Sequence, residues 1–204
     1  MKIATQRLLT TLTLSACLGA ALSACAPLVV GGFAMGTLMA TDRRTAGTQV
    51  EDEGIELRGA GRIRDNLGER GHVNVASYNR QVLLTGEVPS AQDKQLVEQV
   101  VAKVENVRSI VNELEVAEKS SLTQRSSDVL ITGKVRASLV DAKDLFATAF
   151  KIVTERGTVH IMGRVTQREA NRAADIARGV DGVKKVVRIV EIISEEELQS
   201  LTTK

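Results

Sequence analysis

Gln81-Val-Leu-Leu-Thr-Gly-Glu-Val88 returns, with variations, as Thr158-Val-His-Ile-Met-Gly-Arg-Val165. Both octets are mostly apolar, both place glycine sixth, and each follows a two-residue turn signal, Asn79-Arg80 or Arg156-Gly157. They lie 77 positions apart. Downstream, Val104-Glu-Asn-Val-Arg-Ser-Ile-Val111 lines up with Val180-Asp-Gly-Val-Lys-Lys-Val-Val187 at an offset of 76. Upstream, Ile63-Arg-Asp-Asn-Leu67 lines up with Val135-Arg-Ala-Ser-Leu139 at 72, which places a longer loop in the second copy. A repeat of this length has to be settled before any single element is considered.

Around each octet the hydrophobic periods predict one unit. A first helix carries Ile55, Ile63 and Leu67, or Ile131, Val135 and Leu139, at multiples of four. Two strands follow, with Val73, Val75, Val82 and Leu84 in one copy and Phe150, Ile152, Val159 and Ile161 in the other. A second helix starts near Ser90 or Thr166, the latter with Glu169 three residues on as a capping box. A third strand covers Val107–Val116 or Val183–Ile193. The fold class is α+β: two tandem α-β-β-α-β domains, each a small mixed three-stranded sheet with two helices on one face and a right-handed crossover. The first domain spans 51–118, a polar linker 119–124, the second domain 125–193, and a C-terminal tail 194–204, in which Ser194-Glu-Glu-Glu197 is a helix start or an acidic fringe. Gly86 and Gly163 mark a bulge or a close backbone approach rather than a phosphate cradle, because no glycine-rich loop surrounds them.

The composition weighs against several function classes. The chain has no tryptophan, four aromatics (Phe33, Tyr78, Phe146, Phe150) and two histidines. Such a chain is poorly equipped to stack bases, cage a metal or carry out acid–base chemistry at neutral pH. His72 and His160 do not occupy matching positions, since His72 aligns with Ala149 and His160 with Leu83, and both are expected on strand surfaces. No serine stands in a Gly-x-Ser-x-Gly context. The expectations are therefore no catalytic residue, no metal, no cofactor and no nucleic acid.

Residues 1–24 read as a signal segment: Lys2 and Arg7 precede an apolar run that ends in Leu22-Ser23-Ala24-Cys25. An uncleaved membrane anchor over Leu8 to Ala40 is the alternative. Leu-Ser-Ala-Cys resembles the lipobox of bacterial lipoproteins, which implies a diacylglycerol on the Cys25 thiol and an acylated amino terminus. Cys17 lies in the signal, so Cys25 is the sole cysteine of the mature chain and has no internal disulfide partner. Ala26 stands where an aspartate would suggest inner-membrane retention, and the resemblance thus implies the periplasmic face of the outer membrane. Residues 25–50, with Gly31, Gly32, Gly36 and Gly47 and no clean period, read as a lipidated flexible tether. Without the signal the chain is neutral, 25 basic residues against 25 acidic.

The duplicated α-β-β-α-β unit, with Gly86 and Gly163 late in the second strand and a Val-x-Asn/Gly-Val entry to the third, resembles the BON domain of bacterial osmotically inducible and nodulation proteins. A lipobox followed by two such units is similar to the dual-BON outer-membrane lipoproteins. The resemblance implies a protein that binds phospholipid and maintains envelope integrity, with recruitment to the division site; a non-enzymatic monomer is the expectation.

Charge separates the two copies: residues 51–118 carry 8 Lys/Arg and 13 Asp/Glu, and residues 125–193 the reverse, 13 and 8. Opposite charge on one fold suggests divergent tasks. If Ile131, Val135 and Leu139 face the sheet, a 100° step per residue puts Leu130, Gly133, Ala137 and Val140 on the opposite side, rimmed by Lys134 and Arg136. An apolar strip rimmed by cations suits an anionic phospholipid membrane. At the offset of 72 the matching first-domain residues are Arg58, Gly61, Asp65 and Gly68, which offer no strip. Two other readings remain: the strip packs against the first domain, or it docks an envelope protein of the outer-membrane assembly or peptidoglycan machinery. Dual-BON proteins can carry an aromatic wedge near Leu130; here the residue is leucine.

Overall fold

The computed structural model describes residues 42–202; the signal segment, Cys25 and most of the tether lie outside the described residues. The order is α1 (Ala46–Leu67), β1 (His72–Tyr78), β2 (Gln81–Val88), α2 (Ala91–Ala102), β3 (Ser109–Asn112), β4 (Glu115–Val116), then α3 (Leu122–Asp141), a single 3-10 turn (Ala147–Ala149), β5 (Phe150–Glu155), β6 (Thr158–Val165), α4 (Gln167–Arg178), β7 (Lys185–Ile192) and α5 (Glu195–Thr202). In each domain the first two strands are antiparallel and the third runs parallel to the second, giving the expected small mixed sheets.

Local chemistry accounts for most boundaries. Thr45, Ser90, Ser121 and Thr166 cap the N-termini of α1 to α4 through their hydroxyls, and Thr166 with Glu169 closes a full capping box. Asn79, Arg80, Arg156 and Gly157 all have positive φ (51°, 63°, 52° and 78°), the type I′ geometry that matches the twist of a two-residue hairpin. Three expected boundaries move. Residues 46–50, expected in the tether, belong to α1, which starts at Ala46 once Thr45 supplies its cap. The linker ends at Ser121, which caps α3. The third strand of the first domain is broken into β3 and β4, because Asn112 Oδ1 accepts from Leu114 N at 3.2 Å and both short strands pair with β2.

The first-helix alignment also needs correction. The buried residues are Asp52, Ile55, Gly59, Ile63 and Leu67 in α1, and Asp128, Ile131, Val135 and Leu139 in α3. The helices correspond at 76, one helical turn from the 72 suggested by apolar residues alone. The reason is chemical. Asp52 accepts the turn amides of Asn79 and Arg80 (2.8 and 2.7 Å), and Asp128 accepts those of Arg156 and Gly157 (2.9 and 2.8 Å). A carboxylate can satisfy two turn N–H groups only from one place on the helix. The first-domain counterparts of Leu130, Gly133, Ala137 and Val140 become Gly54, Leu57, Gly61 and Arg64. Leu57 is exposed, but the strip still stops at a cation.

Each sheet buries one face under its own helices: Ile55, Val82, Leu84, Val97 and Val101 in the first core, Val135, Leu139, Val159, Ile161 and Ala173 in the second. The other faces pack on each other through Ala76, Tyr78, Leu83, Met162 and Ile189. The hydrophobic periods of single elements do not predict this third core, although the unbroken apolar runs of β2 and β6 are what strands buried on both sides look like.

Gly86 and Gly163 are sites of close approach. A Cβ would stand 2.0 Å from His72 O at Gly86, which also has φ +112°, and 2.6 Å from Ala149 O at Gly163. Gly163→Val is expected to lower the melting temperature by roughly 2–12 °C, from the ~1–3 kcal/mol of an overpacked core and ~2–4 °C per kcal/mol at this chain length. An unchanged thermal melt would remove the steric reading.

Candidate functional site

Outward packing of the helices decides where the predicted site residues stand. On α3, Ile131, Val135 and Leu139 enter the core, and Leu130, Gly133, Lys134, Arg136, Ala137 and Val140 are all exposed. Leu130 is 67% and Val140 70% accessible, with Val129 at 70% beside them and Phe146 at 51% beyond the helix end. The strip therefore does not pack against the first domain. A Cβ at Gly133 would meet nothing within 4 Å, and Arg136 donates through Nη2 to Ile152 O at 3.3 Å. Cys25 lies outside the described residues. Among those residues no group of three or more His, Cys, Asp or Glu side chains could hold a metal ion, and no helix is long and apolar enough to cross a membrane.

The charge contrast between the domains has a structural use at their junction. Arg156 reaches Glu87 and Glu115 (both 3.3 Å), Lys151 pairs with Glu56, and His160 lies 3.8 Å from Glu113; in each case the acid is the first domain's. Arg108 with Glu191 at 3.1 Å is the reverse case. Glu87, fully buried, also accepts from Ser120 N and Oγ in the linker (both 3.2 Å). His160 departs from its expected place on a strand surface. It is 3% exposed because its face of β6 meets the other sheet, and burial pushes its imidazole below the usual histidine range.

The residues just before α1 clamp the two domains. Arg43 is buried and binds Glu169 of the α4 capping box through two hydrogen bonds (2.8 and 2.7 Å) and Arg164 O at 3.0 Å. Burial pushes Glu169 up, but Arg43 and the Thr166 amide outweigh it and hold its carboxyl below the ordinary range. Arg44 turns to the first domain, binding Asp52 at 2.7 Å and lying 4.2 Å over the Tyr78 ring. Burial, with Asp42 nearby, raises the Tyr78 phenol to about 12, and its hydroxyl donates to Ala149 O across the junction at 3.3 Å. Nothing in the sequence pattern singled out Arg43; only the fold brings residue 43 to residue 169. Arg43→Ala leaves a buried carboxylate unpaired and is expected to cost about 3–5 kcal/mol. Urea unfolding measures this, and a loss under 1 kcal/mol would mean the clamp is not needed.

Glu155 lies beside α3 where the domains meet. It is 7% exposed, and burial raises its carboxyl to about 7 against the Asn74 amide, which donates at 2.8 Å; Glu87 and Asp128 push it further up, and Arg125 pulls it down. A raised carboxyl favours folding below about 4.5, and that advantage is lost as pH rises through about 7. Glu155→Gln is therefore expected to change the melting temperature little at pH 4 and to raise it progressively between pH 4.5 and 7.5. A mutant-minus-wild-type difference flat across this window would show that Glu155 titrates normally.

Comparison with known proteins follows the same division. The BON domain family matches residues 55–118 and 127–193. An outer membrane lipoprotein DolP of Haemophilus influenzae is 38% identical over 174 residues, 84% of this chain and 90% of the relative. A 21 kDa hemolysin of Actinobacillus pleuropneumoniae is 36% identical over 74% of this chain and 79% of its own. The osmotically-inducible protein Y of Escherichia coli is 31% identical over 56% of this chain and 58% of its own.

Proposed function

Because the chain belongs to the BON domain family and carries the unit twice, we propose that it is an outer-membrane lipoprotein on the periplasmic face that binds anionic phospholipid through α3 of its second domain. Cys25 carries the acyl anchor in this reading, which the name of the Haemophilus relative supports. The biological output is envelope integrity, with enrichment at the division site where the anionic surface recruits the second domain. No catalytic step and no cofactor beyond the covalent lipid belong to it.

The observation that carries the reading is the outward face of α3. A helix that buries Ile131, Val135 and Leu139 has no folding use for Leu130, Ala137 and Val140 on its far side, yet they stand exposed between Lys134 and Arg136. Apolar side chains enter the head-group boundary while the cations remain at the phosphates.

The test uses the mature chain with Cys25→Ser, so that acyl chains do not mask the helix. Co-sedimentation with phosphatidylglycerol vesicles is expected, with much weaker binding to phosphatidylcholine and a decline as salt shortens the Debye length from ~10 Å at 0.1 M. Lys134→Gln with Arg136→Gln should weaken binding roughly 30-fold, from ~1 kcal/mol per cation near an anionic surface. Leu130→Glu should abolish it. Equal binding by Leu130→Glu, or none by the parent chain, would turn the search to a protein docking on this face.

A further inference from the structure

Two recesses open along α3 on the side where the domains meet, and Arg136 lines both. The first, about 460 Å³, is bordered mainly by hydrogen-bonding side chains, among them His72 and Asn74 of β1, Arg125 and Thr132 of α3, and Thr154 and Glu155 of β5, with Val129 and Gly133 beside them. The second, about 360 Å³, is floored by Tyr78, Leu139, Val140, Ala147, Phe150 and Ile152. Three cations surround that apolar floor, Arg44, Arg136 and Lys151, but Arg44 is paired with Asp42 and Asp52 and Lys151 with Glu56. Arg125 and Arg136 make no ion pair among the described residues; Arg125 bonds the hydroxyl and carbonyl of Ser120, and Arg136 a backbone carbonyl. The acids facing the first recess are already engaged: Asp128 is taken up by two turn amides, and Glu155 accepts from the Asn74 amide while burial raises its carboxyl.

The order along α3 is thus a recess rich in hydrogen-bonding side chains, a cation held only by a backbone carbonyl, and a slot floored by apolar side chains, over the roughly 22 Å from Arg125 to Val140. From this order we infer that the junction holds one molecule of an anionic, single-tailed glycerophospholipid: its hydroxylated head among Asn74, Thr132 and Thr154 in the first recess, its phosphate on Arg136, and its tail against Val140, Ala147 and Phe150. The inference rests on the reading of α3 as the lipid-binding helix and deepens it from contact with a surface to capture of a single molecule. A slot of 360 Å³ lies at the small end of ligand sites, which favours one tail over two. Both domains build the site, since Tyr78 and Asn74 belong to the first and α3 to the second. Occupancy would consequently tighten their packing.

The probes are lysophosphatidylglycerols with tails of 10, 12 and 14 carbons, each below its micelle-forming concentration. Glycerol phosphate serves as the tail-free control. They are titrated by calorimetry and native mass spectrometry into the mature Cys25→Ser chain. One-to-one binding is expected, tightening by up to about fourfold per buried methylene and absent for glycerol phosphate. Ala147→Phe, which fills the slot, should weaken it at least tenfold and leave vesicle co-sedimentation intact; Leu130→Glu, outside both recesses, should do the opposite. If Ala147→Phe does not fold, backbone amide shifts of the parent chain replace it and should concentrate at Thr132–Val140 and Ala147–Ile152. Vesicle binding without binding of the monomeric lysolipid, affinity that ignores tail length, or shifts confined to the outer face around Leu130 would overturn the inference and leave the membrane reading standing. Failure of both vesicles and lysolipid would remove the two together.

Discussion

Packing of the two sheets against each other, with Leu83 of β2 and Met162 of β6 at its centre, is the constraint on which the remaining arrangement rests. A sheet three strands wide has two faces, and in each domain one is taken by its own helices. Burying the second face against the sister domain removes apolar surface that an isolated unit would expose, at ~25 cal/mol per Å². It also forces all four packed helices to the outside. The exposure of the α3 strip is a consequence of that geometry.

Once the sheets meet, polar groups caught at the junction must be compensated, and the opposite charges of the two copies do this. Arg156 and Lys151 meet Glu87, Glu115 and Glu56 across the boundary, while Arg43 and Arg44, adjacent in sequence, are divided between Glu169 and Asp52. The charge contrast that suggested separate tasks is therefore partly a matter of assembly. Lys134, Arg136 and Arg125 remain outside these pairs, and they are the cations gathered along α3. The clamp also places Arg43 and Arg44, which precede α1, at the junction of the two domains.

Where the sequence could be read and where it could not follows from the range of the interactions. Hairpin turns, the capping box at Thr166 and the duplicated octet are contacts between near neighbours, and they leave a local pattern. The helix register was misplaced by one turn because apolar residues recur every three or four positions and slide over one another. Asp52 and Asp128 would have corrected it, since a carboxylate inside an apolar helix face needs a reason, and the reason lies 27 to 29 residues away in the hairpin turn. His160 was misplaced because strand alternation assigns it a face without saying what covers that face.

By itself, the sequence determined that one α-β-β-α-β unit is present twice, which residues of each unit face its helices, and that α3 carries an apolar strip between cations. Period, spacing and duplication are properties of the chain alone. Only the tertiary structure decided that the two sheets face each other, that Arg43 belongs to Glu169, and that Arg136 lines two recesses where the domains meet. These depend on contacts between residues far apart in sequence, where no periodicity connects one partner to the other.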